Sequence, residues 1–286
     1  MRLVKAVPLL LPILFSAVLS AQTYNGKELV VFEAIPEAQK IVPGQPFYVA
    51  LHMEMAEGWH TYWTYSGEAG LGTDVSWELP EGMVDGGILS PTPILKEEDT
   101  GLMAYAYYGE VTHFVRLFAP GDWEPGEEVE VKGAIDWLVC EEPCIPGDAE
   151  FSFTLTVAEE RPEPDSRVIE AKQALPQLLS LEDAEFPHTW VKDGEFLYLL
   201  TAAEGSHGSV EGFYPLPPDG VFIEIPEKPR SLAEFENLSE YEDEFAKAIA
   251  VEVKSGLDQI EHLDGLLVFG SSEDSDSLTG LLTQMN

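Results

Sequence analysis

Cysteine is nearly missing: the 286-residue chain holds two, Cys140 and Cys144, so at most one intrachain disulfide is open to it. Positive charge is scarce too, with 15 Lys and Arg against 52 Asp and Glu and a formal net charge of −37. A surface of that sign repels nucleic acid and anionic lipid, which removes both as partners. Beyond the N-terminal segment no long apolar run occurs, so no later helix is expected to span a bilayer. The six histidines have no metal-ligand spacing and no His-Glu-x-x-His run, so neither a bound metal nor a cofactor is implied. Gly67-Glu-Ala-Gly70-Leu-Gly72 lacks the spacing and the strand-to-helix setting of a nucleotide loop. It reads as a turn.

The chain opens MRLVKAVPLLLPILFSAVLSA, with Arg2 and Lys5 ahead of an apolar run from Ala6 to Leu19 and then small residues. That is the pattern of a cleaved signal peptide over residues 1–21, although Leu19 at −3 is imperfect. The apolar run is shorter than the roughly 18 residues of a spanning helix and contains Pro8 and Pro12, which argues against a retained anchor. Removal of residues 1–21 leaves 13 basic and 52 acidic residues, a net of −39. A hydrophobic content of 45% with 10% aromatics is enough for packed cores, so the acidity decorates globular domains and does not signal disorder. A mature chain of about 265 residues exceeds what one small core usually serves, and two domains are the expectation.

From Lys27 onward the pattern is short strands punctuated by Gly, Pro and Asp. Phe47, Val49, Leu51, Met53 and Met55 alternate with mostly polar or small neighbours, as do Val129, Val131, Gly133, Ile135 and Trp137, and again Phe151, Phe153, Leu155 and Val157. One face of each strand is therefore buried and the other wet. Leu29–Phe32, Val75–Leu79 and Val111–Phe118 supply further strands. The fold class is all-β: two immunoglobulin-like antiparallel β-sandwich domains in tandem, spanning 22–158 and 166–286. A charged, Pro-bearing linker over 159–165 separates them. The second, smaller domain is expected to start with a short helix capped by Ser166 and running to about Leu179. A hairpin turning at Lys192-Asp193-Gly194-Glu195 follows. Val221–Ile225, Ala246–Val253 and Leu263–Phe269 read as strands, 232–244 as a loose segment, and 271–277 as a turn or frayed tail.

Cys140-Glu-Glu-Pro-Cys144 sits between two of these strands. As a staple it is inefficient. Closing about five residues constrains the unfolded chain by roughly 2 kcal/mol, against about 4.7 for a 100-residue loop. A tight ring containing Pro143 is also expected to favour easier reduction by a partner thiolate. Asp136, Glu141, Glu142 and Asp148 disfavour a nearby thiolate, and no basic residue lies between Ala134 and Phe151. The pair should therefore receive attack rather than deliver it. On the residues alone, redox exchange and a structural staple in a non-catalytic exported binding module both stand. A third reading is a copper-handling protein using the cysteines with Met53, Met55 and Met103, because soft sulfur selects copper(I).

Trp137-Leu-Val-Cys140-Glu-Glu-Pro-Cys144-Ile-Pro146, with Gly58-Trp-His-Thr-Tyr-Trp63 upstream and Tyr107-Tyr-Gly-Glu110 between, resembles the DsbD N-terminal domain family of periplasmic thiol-disulfide interchange proteins. The resemblance runs from about Glu28 to Val157, on the Cys-x3-Cys spacing of a shorter-loop branch. It implies a disulfide between Cys140 and Cys144 as the redox pair. It also implies a thioredoxin-like electron donor, periplasmic disulfide-bearing proteins as acceptors, and oxidoreductase activity in the periplasm. Tyr107 is expected to cap the pair, followed by Tyr108 and Gly109, with His60 and Tyr62 lining the site. The family's multi-helix membrane conduit and thioredoxin-like domain have no counterpart in these residues, so either separate proteins supply the electrons or the role has drifted.

Overall fold

The computed structural model describes residues 25–180, 187–203, 208–270 and 278–283. The expected signal peptide (1–21) and acidic tail (271–277) lie outside the described residues. After a four-residue helix, α1 (Gly26–Leu29), eleven strands build the first sandwich: β1 (Val30–Pro36), β2 (Lys40–Ile41), β3 (Pro46–Met55), β4 (His60–Gly67), β5 (Asp74–Glu78), β6 (Val84–Leu89), β7 (Ile94–Glu97), β8 (Met103–Tyr108), β9 (Glu110–Phe118), β10 (Glu128–Cys140) and β11 (Cys144–Val157). One sheet has the order β1-β3-β9-β6. The other runs β2-β11-β10-β4-β8-β7, with β5 paired to β10. Pairing is antiparallel except between β2 and β11.

The expected alternation is realised. Phe47, Val49, Leu51, Met53 and Met55 of β3 are all buried, facing Val131, Ile135 and Trp137 of β10 and Leu155 and Val157 of β11 across the core. Ile35, Ala50 and Phe114 lie on the opposite face of the smaller sheet, where they would be wet in a bare sandwich. A helix, α2 (Ser166–Lys172), covers them through Val168. Its cap is Asp165, one residue before the expected Ser166; the Asp165 carboxylate accepts from Arg167 N at 2.9 Å. The helix stops at Lys172, short of Leu179, because Pro176 biases the preceding residue away from helical backbone. The segment leading to α2 is tied to the first sandwich, with Asp165 N donating to Glu37 O at 2.7 Å and Arg161 to Pro46 O at 3.3 Å.

Nine strands follow: β12 (Gln177–Ser180), β13 (His188–Asp193), β14 (Phe196–Thr201), β15 (Ser209–Leu216), β16 (Phe222–Ile223), β17 (Arg230–Ser231), β18 (Lys247–Ser255), β19 (Asp264–Gly270) and β20 (Leu278–Thr283). They form sheets β12-β20-β19-β15 and β13-β14-β18-β16, with β17 also on β18. Leu197, Leu199, Phe213, Ile249, Val251 and Leu267 fill the space between them. The expected hairpin is β13–β14, with Asp193 opposite Phe196. The stretch expected to be loose, 232–244, is instead two short 3-10 turns that bury Leu232, Phe235 and Leu238 against Tyr198 and Leu200. Acidic residues between those apolar positions mask the pattern in the sequence. Among the described residues no helix is long and apolar enough to cross a membrane.

Inside the first sandwich His113 is fully buried, with Nδ1 2.7 Å from Ser90 Oγ and Nε2 without a hydrogen-bond partner among the described residues. Ser90 in turn hydrogen-bonds Tyr107, whose hydroxyl donates to Pro91 O at 2.6 Å. Burial pushes the His113 imidazole down to about 4. The folded value lies below the unfolded 6.5, so the unfolded state binds the proton first as pH falls. Stability present above pH 6.5 is therefore lost between 6.5 and about 4. Denaturant titrations across that window should show wild type losing up to ~1.4 kcal/mol per pH unit more than His113→Gln. Phe114→Ala, which empties the contact between β9 and α2, should cost about 3–5 kcal/mol in the same assay at neutral pH.

Candidate functional site

The β10–β11 ladder pairs residues from Glu128 with Thr156 up to Cys140 with Cys144, so the cysteines face each other where the hairpin closes. They form a disulfide with an S–S distance of 2.01 Å, and Glu141, Glu142 and Pro143 make the loop between them. Side chains alternate along β10. Val131, Ile135, Trp137 and Val139 point into the core, and Cys140 points to the outer face of the large sheet. There it packs with Tyr62, Ala104 and Leu138 and is 1% exposed, whereas Cys144 is exposed. The two sulfurs of one bond thus differ sharply in access.

Cys140 pairs with His60 at the start of β4, and His60 pairs with Tyr108 at the end of β8. That register puts His60, Tyr62 and Tyr108 around the disulfide. The Tyr62 hydroxyl stands 3.9 Å from Cys144 Sγ and donates to Glu98 Oε1 at 3.1 Å. His60 Nε2 lies 3.2 Å from the same hydroxyl and 3.3 Å from Glu98 Oε1. Its Nδ1 is buried without a partner among the described residues. A proton on Nε2 therefore leaves only a bare lone pair unsatisfied. Tyr108 is 42% exposed, with its ring centroid 5.0 Å from that of His60. Gly109, with φ of 69°, turns the chain from β8 to β9, and its carbonyl accepts from Met55 N.

Tyr107, the expected cap, lies elsewhere. It pairs with Thr61 on the inward face of the sheet, is 7% exposed, and is held there by its bond to Pro91 O and by the His113 ring at 5.4 Å. Successive strand residues point to opposite faces, so two adjacent tyrosines cannot both face the disulfide. Tyr108 is the one that does.

Two elements of the site carry no motif. The turn between β7 and β8 brings Glu98 over Tyr62 and His60, with Lys96 ion-paired to it. Burial works against ionisation of Glu98, but the Lys96 hydrogen bond and charge and the Tyr62 hydroxyl outweigh it, so its pKa is lowered. In the same turn Asp99 hydrogen-bonds Glu142 of the cysteine loop and raises its pKa. The glycine-rich turn after β4 is the second element. A Cβ on Gly70 would stand 2.4 Å from the Tyr62 ring, and its φ of 82° also favours glycine, so the backbone lies flat against that tyrosine. Glycine spacing signalled a turn, but nothing in the sequence said which ring it covers.

Met53 and Met55 are core residues, and Met55 Sδ accepts from Thr61 at 3.8 Å. They do not stand with the cysteines. Among the described residues no three His, Cys, Asp or Glu side chains are grouped to hold a metal ion.

Burial and the Lys96 charge lower the His60 pKa below 6.5, while the charge and hydrogen bond of Glu98 raise it. In an NMR titration the His60 midpoint should lie below 6.5 and move lower still in Glu98→Gln, whereas Lys96→Met should move it up. An unchanged midpoint in both variants would sever the contact inferred between this turn and the imidazole.

The family model described as "Thiol:disulfide interchange protein DsbD, N-terminal" matches residues 30–156. Among solved structures, the N-terminal periplasmic domain of ScsB from Proteus mirabilis is similar, at 16% identity and a TM-score of 0.55, covering 92% of this chain and 97% of that one. The reduced DsbD N-terminal domain from Neisseria meningitidis is 16% identical with a TM-score of 0.32, covering 46% of this chain and 94% of its own. No curated protein sequence matches. The first likeness extends the shared fold over both sandwiches; the match of the family model spans the sandwich that carries the Cys140–Cys144 disulfide. Residues 30–156, and with them the Cys140–Cys144 disulfide, thus match the model of the DsbD N-terminal domain of thiol:disulfide interchange proteins.

Proposed function

We propose that this chain is an exported, periplasmic thiol-disulfide interchange protein, which takes electrons from a thioredoxin-like dithiol at Cys140–Cys144 and passes them to disulfide-bearing partner proteins. The observation that carries this reading is the asymmetry of the disulfide: Cys144 is exposed at a hairpin tip, and Cys140 is buried against Tyr62. A structural staple needs neither feature. Residues 22–158 act as the redox domain and 166–286 as a second domain after the 159–165 linker, with residues 1–21 as the signal peptide that directs export.

Attack comes at the accessible sulfur. A donor thiolate bonds to Cys144 Sγ, the Cys140–Cys144 bond breaks, and Cys140 leaves as a thiolate that takes up a proton. The donor's second thiolate then attacks its own sulfur in the mixed disulfide and releases Cys144, which is protonated in turn. Two electrons and two protons have moved, the donor is oxidised and the pair reduced. The same steps in reverse reduce an acceptor disulfide. Glu141 and Glu142 flank the pair and Cys140 sits in an apolar setting beside Ala104 and Leu138, so the reduced pair holds its protons and gives up its electrons readily. His60, Tyr62 and Tyr108 line the approach to Cys144, and Gly109 ends the strand carrying Tyr108.

Reduced protein mixed with an oxidised thioredoxin-like partner should exchange, and the Cys140→Ser/Cys144→Ser double variant should not. Cys140→Ser should trap a mixed disulfide through Cys144, and Cys144→Ser should trap far less. Equal trapping by both single variants would refute the assignment of Cys144. A reduction potential below about −300 mV would return the disulfide to a structural role.

A further inference from the structure

The two sheets of the first sandwich are unequal, and the shortfall lies under β4, β8 and β7. The second sandwich covers the inward face of β4 and β8. Tyr105 of β8 is completely buried, with its ring 5.4 Å from Trp63 of β4 and 4.8 Å from Tyr214 of β15. The Tyr65 hydroxyl donates to Ile223 O at 3.4 Å. Leu266 of β19 belongs to the first sandwich's core, with Tyr214, Leu216 and Ile225 packed against it. The seam is discontinuous, because a cavity of about 240 Å³ lined by Trp63, Leu216 and Leu266 interrupts it. The Tyr214 ring is the aromatic contact of this seam that reaches Tyr105.

On the other face of the same two strands stand His60, Tyr62 and Tyr108. The residues flanking Tyr105 on β8 are Ala104 and Ala106, both fully buried, and Ala104 touches Tyr62 and Cys140. Alanine has almost no side chain to absorb a displacement. Between the Tyr214 ring and the wall of the disulfide lie the Tyr105 ring and the one strand that carries it, so a shift of β8 moves that wall directly.

We infer that Tyr214 of the second sandwich is a positioning residue for the redox site: through Tyr105 it holds β8, and with it Tyr108 and the Glu98 turn, against the Cys140–Cys144 disulfide. The second domain is thus a buttress for the exchange reaction. This rests on the proposed exchange function and extends it to the half of the chain that bears no cysteine.

The test uses the full chain. In Tyr214→Ala the rate of disulfide reduction by excess dithiothreitol should rise about threefold to tenfold, and the NMR titration midpoint of His60 should shift. Tyr214→Phe keeps the ring and should match wild type in both. Where Tyr214→Ala does not fold, Tyr214→Leu keeps apolar bulk without the aromatic stack and should give the same acceleration. A folded Ala or Leu variant with wild-type reduction rate and His60 midpoint overturns the inference, as does a Phe variant altered as much as Ala. Failure of wild type to exchange with a thioredoxin-like dithiol would instead overturn the function itself, whatever the Tyr214 variants do with dithiothreitol.

Discussion

The antiparallel register of β10 against β11 is the constraint on which the rest depends. With Glu128 opposite Thr156, each further pair is set, and the ladder ends with Cys140 opposite Cys144. Side chains along these strands point alternately inward and outward, so the same register that sends Val131, Ile135, Trp137 and Val139 to the core sends Cys140 to the outer face. A slip of one residue would bury the disulfide in the sandwich and expose the aliphatic face. Gly147 marks how tightly the register is kept: a Cβ there would stand 2.5 Å from Trp137 Nε1, the residue directly across the ladder.

Around that tip the environment is built from strands that reach it by pairing and from turns that reach it by packing. β4 and β8 deliver His60, Tyr62 and Tyr108 through the ladder. The turn carrying Glu98 and the loop carrying Gly70 arrive only because the sheet ends there. Chemically the result is a disulfide with one open sulfur and one sheltered sulfur, beside a phenol, an imidazole whose protonation burial disfavours, and a carboxylate whose ionisation Lys96 favours. Neutral and anionic groups close to the pair resist thiolate formation. That suits a disulfide that is attacked from outside and hands its electrons on, and it agrees with the acidic loop Glu141-Glu142.

Much of this was legible in the residues. The period-two pattern of Phe47 to Met55 and of Val129 to Trp137 reports one-sided burial, which sandwich packing then realises. The hairpin at Asp193-Gly194 follows from turn chemistry. Legibility failed where a contact joins distant segments. Nothing local in Tyr105-Ala-Tyr-Tyr108 says which tyrosine faces the cysteines, because alternation fixes relative faces and leaves the absolute one to the register of β8 on β4. The helix after Asp165 was visible, but its docking on Ile35, Ala50 and Phe114 was not, since a single small apolar stripe fits either sandwich. The acid-studded 232–244 stretch hid Leu232, Phe235 and Leu238, whose spacing matches 3-10 turns rather than a helix or strand.

By itself, then, the sequence determined the all-β class, the acidic surface, the single possible disulfide and the five-residue ring that contains it, because these follow from composition, periodicity and adjacency along the chain. Tertiary structure alone decided that Cys144 is open and Cys140 shut, that Tyr108 and not Tyr107 shares their face, that Glu98 joins the site, and that Tyr214 packs beneath it. Each of those depends on which strand lies beside which and on what covers the sheet. Such contacts are between residues far apart in sequence, and only the folded chain brings them to within a few ångströms.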